Sequence, residues 1–375
     1  MFNCFLLNNE SIIFVIMKSE EDFIETDLKE VEGASTWESP SNIALVKYWG
    51  KYGTQYPQNP SLSFTLSKCI TKTSISFVPK EIKNRDFSFD FKFEGNNSPA
   101  FHPKIQTFLE RIDCYVPFVR QHNLKIESVN SFPHSSGIAS SASAMSALAL
   151  GIMSIEKKIN PTISDAYFFL KASFLARLGS GSAARSLKGP IVSWGKTDVI
   201  EGSSDLYGTA LDSKIHPIFE EYQDTILLID KGQKKVSSSV GHNLMNNHPY
   251  AATRFDQAYI NFKKLITILS QGDITEFISL VESEALTLHA LMMASQPYFI
   301  LMQPNTLKVL NRVREYRQDN NSSLCFTLDA GANVHLLYPK SEKDEVLKFI
   351  KEELACYCQN GQFIEDQIGN GAKKV

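Results

Sequence analysis

Four separated stretches of this 375-residue chain set small, turn-forming residues beside a charge or a hydroxyl. They are Lys47-Tyr48-Trp49-Gly50-Lys51, the loop over residues 133–142, Ser180-Gly181-Ser182-Ala183-Ala184-Arg185, and Asp329-Ala330-Gly331-Ala332-Asn333. Phosphoryl transfer asks for a backbone cradle, hydroxyls for phosphate or Mg²⁺, cations for developing charge, and a carboxylate to orient the nucleophile. These stretches contain all of those parts. In the second, Ser135, Ser136, Gly137 and Ala139 lead to Ser140 and Ser141, where an Ala- and Leu-rich helix is expected over 140–155. A helix start behind a loop without bulky side chains turns free N–H groups and partial positive charge toward an anion. Neither Gly-x-x-x-x-Gly-Lys-Ser/Thr nor a Gly-x-Gly-x-x-Gly opening of a βαβ unit occurs, which argues against P-loop and Rossmann designs.

Taken singly, each stretch has an ordinary structural reading. An Asp before Ala-Gly is usually a turn residue, Arg185 suits a surface helix, Lys47 a strand end, and Ser-Ser-Ala a capped helix packed on a sheet. Agreement among the four lifts them above those readings. Trp49 and Trp194 read as packing, and His335 on an apolar strand reads as a satisfied core histidine. Glu282, Glu284 and His289, at helical spacing, read as a solvated or interfacial face.

The elements that must position these groups fill a chain long enough for two domains. Strands are expected at 39–50, 59–66, 71–78, 87–93 and 124–130, then at 191–194, 225–229, 324–328 and 334–338. Helical spacing marks 103–123, 140–155, a segment from Asn160-Pro161 to Leu178, then 251–270, 273–295 and 305–318. A last helix is expected from Ser341, where Asp344 completes capping-box spacing. A lead-in over 1–37, a first domain over 38–215 and a second over 216–375 follow, with the boundary in the polar stretch 202–215.

Bulk properties narrow the partners. With 38 basic and 41 acidic residues the net charge is −3, so neither nucleic acid nor an anionic membrane is expected, and any anion site must be local. Six cysteines are scattered, Cys356 and Cys358 forming the only close pair, which fits reduced thiols in a cytoplasmic protein. Residues 1–16 are apolar but interrupted by Asn8-Asn9-Glu10-Ser11, lacking the pattern of a signal peptide or a membrane span. They read as a start-site extension or a loosely docked tail.

The run Pro133-x-x-x-Gly137-Ile138-Ala139-Ser140-Ser141-Ala142 resembles the nucleotide loop of the GHMP kinase superfamily. Residues 41–51, 179–186 and 329–333 narrow the resemblance to the diphosphomevalonate decarboxylase family, in register over about residues 38–340. The resemblance implies an α+β, two-domain GHMP kinase fold, with an N-terminal ribosomal-protein-S5-like domain and a C-terminal ferredoxin-like α/β sandwich. It implies ATP-dependent decarboxylation of a mevalonate diphosphate, with ATP and Mg²⁺, and a homodimer. Asp329 would act on the tertiary hydroxyl, Arg185 would hold the substrate carboxylate and the aspartate, and Lys47 would sit near the transferred phosphate. Tyr48, Trp49, Gly50 and Lys51 would line the substrate pocket with Ser180, Gly181, Ser182, Ala183, Ala184, Ser238 and Ser239. Ser135, Ser136, Gly137 and Ala139 would meet the nucleotide, and Ser140 and Ser141 both its phosphates and Mg²⁺.

This chain departs from the family pattern at several positions. Ala184 stands for a common Cys and Ala332 for a common Pro. His134-Ser135-Ser136 replace Thr-Ala-Ala, Tyr52-Gly53 replace Arg-Asp, and Ser239 replaces a longer side chain. The last two changes touch substrate binding, which keeps a phosphomevalonate decarboxylase and a mevalonate 3-kinase as alternatives. A non-catalytic ligand sensor of the same fold is the alternative from another class, and Asp329, Arg185 and Lys47 together argue against it.

Overall fold

The computed structural model describes residues 19–133, 138–211, 215–232 and 238–375, the side chains of residues 238 and 239 excepted. Ser135, Ser136, Gly137 and the tail 1–16 therefore lie outside the described residues. Two sheets carry the molecule. The larger is built from β1 (Gly33–Val46), β4 (Ser61–Pro79), β5 (Ser88–Phe93), β6 (Asn96–Asn97), β7 (His122–Asn130), β8 (Ile191–Trp194), β9 (Thr209–Ala210) and β14 (Lys373–Lys374), in the order β14-β1-β4-β7-β5-β6 with β8 and β9 beside β4. A small hairpin, β2 (Lys51–Tyr52) and β3 (Tyr56–Pro57), stands apart. Helices α1 (His102–Ile112), α2 (Ser140–Ile159) and α3 (Asp165–Gly179) accompany this sheet. Ile75, Ile126, Phe108, Leu148 and Phe174 meet in the resulting core.

The second sheet has the antiparallel order β11 (Cys325–Leu328), β12 (Val334–Tyr338), β10 (Gln223–Leu227), β13 (Phe363–Gln367). Its helices are α4 (Ser238–Leu244), α5 (Ala251–Gln271), α6 (Ile274–Ala294), α7 (Pro304–Asn320) and α8 (Lys343–Phe349). One face packs Leu227, Phe326 and Leu336 against Val309 and Val346. The other joins the first domain: Ile43, Leu45, Leu62 and Phe64 share a core with Ile226, Phe262, Phe277 and Val281. The two halves are thus fused through apolar burial, the main favourable term in such contacts.

Several elements differ from the sequence expectation for identifiable reasons. Residues 59–66 and 71–78 are not two strands but one, β4. Residues 67–70 lack a turn-forming Gly, Pro or Asn, and the Asp366 carboxylate instead receives the N–H groups of Ser67, Lys68 and Cys69 at 2.9, 2.8 and 2.7 Å. A strand can bend there without leaving amides unpaired. The sheet also begins earlier, at Gly33, inside the stretch read as lead-in. Ahead of it Phe23 is fully buried, stacked on Phe174 with ring centroids 4.2 Å apart.

Helix α3 starts at Asp165, capped by Ser164 Oγ, which accepts from the Tyr167 N–H at 3.2 Å, and not at Asn160-Pro161. Asn160 instead ends α2, its side-chain oxygen accepting from the Thr162 N–H at 3.2 Å. The 103–123 segment is α-helical only to Ile112, turns through a 3-10 helix at Pro117–Gln121, and β7 already begins at His122. No capping box forms at Ser341, because α8 starts at Lys343 behind a 3-10 turn. Glu342 there receives the Ser323 N–H. Ser238 and Ser239 lie in helix α4.

Candidate active site

Strand β1 carries small polar residues on its way to the cleft, and these hold the loops. Ser41 Oγ donates to the Ile138 carbonyl at 2.6 Å, fixing the end of the 133–142 loop. Asn42 Nδ2 donates to the Ser182 carbonyl at 3.1 Å and to Ser186 Oγ at 2.8 Å, fixing the 180–185 loop. Ala139, just before α2, adopts the left-handed conformation with φ 40° and ψ 39°, a position a non-glycine residue leaves unless its surroundings hold it. Behind it Ser140 and Ser141 begin α2 half-buried, and Ser141 Oγ lies 3.3 Å from Ser180 Oγ. The nucleotide-type and substrate-type loops therefore meet hydroxyl to hydroxyl.

Where β1 ends, Lys47 is 1% exposed, its ammonium donating to the Ala44 carbonyl at 2.6 Å and lying 3.8 Å from Asp329 Oδ1. Burial lowers the lysine's pKa from 10.5 to about 8, against the attraction of Asp329 and Glu284. Asp329 sits in the β11–β12 connection with its side chain 27% exposed, so its carboxylate reaches solvent. Arg185 is buried and donates to Ser61 Oγ and, at 3.4 Å, to Asn42 Oδ1, while its Nε has no protein partner. Burial pulls its pKa down to about 10, and the Asp329 charge resists. The structure thus brings Lys47, Arg185 and Asp329, from three distant stretches, into one electrostatic cluster.

The 48–51 segment is only partly open to the cleft. Tyr48 is half-buried, edge-on to Trp194 at 4.7 Å, with its hydroxyl buried and unpaired, and burial pushes that phenol's pKa up. Trp49 departs from the pocket-lining expectation: its indole is packed with Met245, Leu288, Leu291 and Met292. Gly50, at φ +101°, donates its N–H to His242 Nδ1 at 3.0 Å. Lys51 is half-buried and donates to Gln55 at 3.1 Å. His242, which the sequence reading passed over, lies 4.2 Å from the Tyr48 ring and 4.7 Å from Trp49. Burial, with Lys51 and Arg185 nearby, lowers its pKa to about 3. The ring is therefore neutral and ties α4, with Ser238 and Ser239 at its start, to this segment. The side chains of those two serines lie outside the described residues.

In the 180–185 loop, Gly181, Ala183 and Ala184 are buried. A Cβ at Gly181 would lie 2.7 Å from the Trp194 ring and 2.9 Å from the Tyr48 hydroxyl, so no larger residue fits there. Beside Ser140 and Ser141 a cleft opens between β5, β7, α1 and α2, lined by Phe91, Phe93, Phe101, Lys104, Ile126 and Asn130 among others. The sequence marks 87–93 only as a strand, and the cleft that its Phe91 and Phe93 line was not foreseen. Among the described residues no group of three His, Cys, Asp or Glu could hold a metal ion. A cation at Ser140 and Ser141 would take most of its ligands from phosphate and water, as Mg²⁺ on a nucleotide does.

Residues 39–205 match the model of the diphosphomevalonate decarboxylase-like N-terminal domain, and residues 225–373 match that of the mevalonate 5-diphosphate decarboxylase C-terminal domain. The chain belongs to the diphosphomevalonate decarboxylase family. The diphosphomevalonate decarboxylase of Saccharomyces cerevisiae is 27% identical over 325 residues, 83% of this chain and 79% of that protein. The Homo sapiens protein of that name is 26% identical over 318 residues, 80% and 75% of the two chains. Among solved structures, the mevalonate diphosphate decarboxylase of Staphylococcus aureus superposes with a TM-score of 0.78 at 27% identity, over 92% of this chain and 98% of that one. A protein named MDDEF, solved in complex with MVAPP, AMPPCP and magnesium, gives 0.76 at 27% identity, over 92% and 99%. The family has the two-domain GHMP-type α+β architecture described above.

Proposed function

We propose that this chain catalyses the ATP-dependent decarboxylation of (R)-5-diphosphomevalonate to isopentenyl diphosphate, ADP, phosphate and CO₂, with ATP and Mg²⁺ as family membership implies. The observation that carries the reading is the Lys47–Asp329 pair, 3.8 Å apart where the two sheets' domains meet, with Arg185 in electrostatic reach. Asp329 is the solvent-facing carboxylate of the cluster, suited to orient and deprotonate the tertiary hydroxyl as its oxygen attacks the γ-phosphorus. Lys47 supplies a desolvated cation for the charge that builds on the transferred phosphoryl group. Arg185, whose Nε is without a protein partner, is placed to hold the substrate carboxylate. Once the C3 oxygen is phosphorylated, its bond to C3 breaks and the electron pair of the C–CO₂ bond forms the alkene. Mg²⁺ on the nucleotide phosphates supplies charge neutralisation when bound.

Lys51 and the helix-α4 serines stand at the diphosphate end of this reading, and Ser140 and Ser141 at the triphosphate end. The Phe-lined cleft beside them takes the nucleotide base. A cytoplasmic location, which the five free cysteines among the described residues support, and a homodimer complete the proposal. Gel filtration with light scattering tests the dimer. The activity is tested by measuring kcat/KM for mevalonate, its 5-phosphate and its 5-diphosphate, following ADP and CO₂ separately. One charge-assisted contact contributes about 1.5–3 kcal/mol, so the diphosphate should be preferred over the monophosphate by about tenfold or more. Equal use of the 5-phosphate with CO₂ release would reassign the substrate, and ADP without CO₂ would leave only a kinase.

A further inference from the structure

We propose that helix α6 sets the spacing between Lys47 and Asp329, with Glu284, Arg254 and His289 acting as positioning residues for that pair. The inference rests on the phosphoryl-transfer reading above. Lys47 directly follows β1 of the first domain and Asp329 lies in the second, so whatever aligns them must cross the junction. Both backbone polar groups of Lys47 have a partner across it. Its N–H donates to Glu284 Oε2 at 2.9 Å, and its carbonyl, which accepts from Asn59 Nδ2 of its own domain at 3.0 Å, also accepts from Arg254 Nη2 at 3.3 Å. Arg254 and Glu284 are themselves joined by two near-parallel bonds of 2.8 and 2.6 Å, the fork geometry that fixes direction as well as distance. Asn261 Nδ2 donates to Glu284 Oε1 at 2.6 Å, so neither carboxylate oxygen is free to swing.

The same helix holds the other partner. Five residues beyond Glu284, about 7.5 Å along the axis, His289 Nε2 lies 3.1 Å from the Asp329 carbonyl. A carbonyl only accepts, so the ring nitrogen carries the proton there and donates. One rigid element therefore grips the backbone of Lys47 at one point and that of Asp329 at another. Stability alone does not explain such a device. Glu284 is wholly buried and Arg254 nearly so, and a desolvated ion pair generally holds two helices no better than apolar side chains of similar volume. What apolar side chains could not supply are the two bonds to the Lys47 backbone.

The test uses the full-length enzyme with ADP and CO₂ followed separately. Arg254→Lys keeps the charge but loses the fork. It is expected to fold and to lose about 10- to 100-fold in kcat, the scale of a misplacement of about an ångström, with the KM for ATP within about twofold of wild type. The double variant Arg254→Met/Glu284→Leu leaves no unpaired buried charge. It is expected to melt close to the wild-type temperature, the Lys47 N–H left without its acceptor offsetting the desolvation relieved, with the same loss in kcat. His289→Phe, a flat ring without the donor, should show the same split between kcat and KM. Wild-type kcat in folded Arg254→Lys or in the folded double variant would overturn the proposal, as would losses confined to KM. Failure of both Arg254 variants to fold would assign the pair to stability and overturn it likewise. If wild type itself releases neither ADP nor CO₂ from the 5-diphosphate, the reading of the reaction falls and this inference with it.

Discussion

Lys47 should cost the protein stability that its removal restores. The side chain is 1% exposed, and burial holds its pKa at about 8 against an ordinary value of 10.5. At about 1.36 kcal/mol for each pH unit, keeping the folded lysine charged at pH 7 costs roughly 3 kcal/mol relative to the unfolded chain. Between pH 8 and 10.5 the unfolded chain still holds a proton that the folded chain has released, so stability rises with pH across that window. Lys47→Met removes the titrating group while keeping a long apolar stem. It also loses the 2.6 Å bond to the Ala44 carbonyl, which at roughly 1–3 kcal/mol for an acceptor left unpaired offsets part of the gain at pH 7.

The clean measurement is therefore a difference. Urea unfolding of wild type and Lys47→Met at pH 7 and at pH 10.5 should show wild type gaining about 3 kcal/mol more than the variant, since all other titrating groups cancel. In kinetics, wild-type kcat/KM should fall above about pH 8 as the free enzyme loses its cation. The variant should lose about 10²–10³-fold in kcat, the scale of one electrostatic group aimed at developing charge. Superimposable stability–pH differences for the two proteins would refute the premise that Lys47 is a buried cation in the resting enzyme.

Other outcomes follow from single contacts. Asp329→Asn keeps the shape and removes the base, so kcat should drop about 10²–10⁴-fold while thermal denaturation stays close to wild type. Gly181→Ala forces a methyl to 2.7 Å from the Trp194 ring, and kcat/KM for the 5-diphosphate should fall while the far-ultraviolet circular dichroism is unchanged. Phe23→Ala empties the position stacked on Phe174 and should destabilise by about 3–5 kcal/mol in urea unfolding.

The loops were legible because each carries its own signal: small residues, a turn and a charge or hydroxyl within a few positions. So were the long helices, whose 3.6-residue spacing survives without knowledge of their partners. Expectations went astray where a partner distant in sequence decides the structure. Nothing in residues 67–70 announces that Asp366, about 300 positions later, will receive three of their N–H groups and let β4 run on through the bend. Nor does the sequence before Gly33 show that Phe23 will find Phe174. The capping sites moved for a local reason: Ser164 competes with Asn160, and a Pro at 161 does not decide between ending one helix and starting the next.

Helix α6 is the most instructive element. Its spacing of Glu282, Glu284 and His289 suggested a solvated or interfacial face; the solvated alternative fails, since all three are buried and paired, Glu282 with Arg317 at 2.6 Å, Glu284 with Arg254, His289 with the Asp329 carbonyl. By length and composition the helix is apolar enough to cross a membrane, and in this fold it is a half-buried core element. That combination was the available signal. Acidic residues are almost never fully buried unless paired, and an otherwise apolar helix has little solvated face to give them. Carboxylates inside such a run therefore imply buried cations elsewhere in the chain. The cations turn out to be arginines on α5 and α7, and the pairing with Arg254 is what brings the second domain's charge against the backbone of Lys47. The cleft is thus assembled less by its own loops than by the helix behind them.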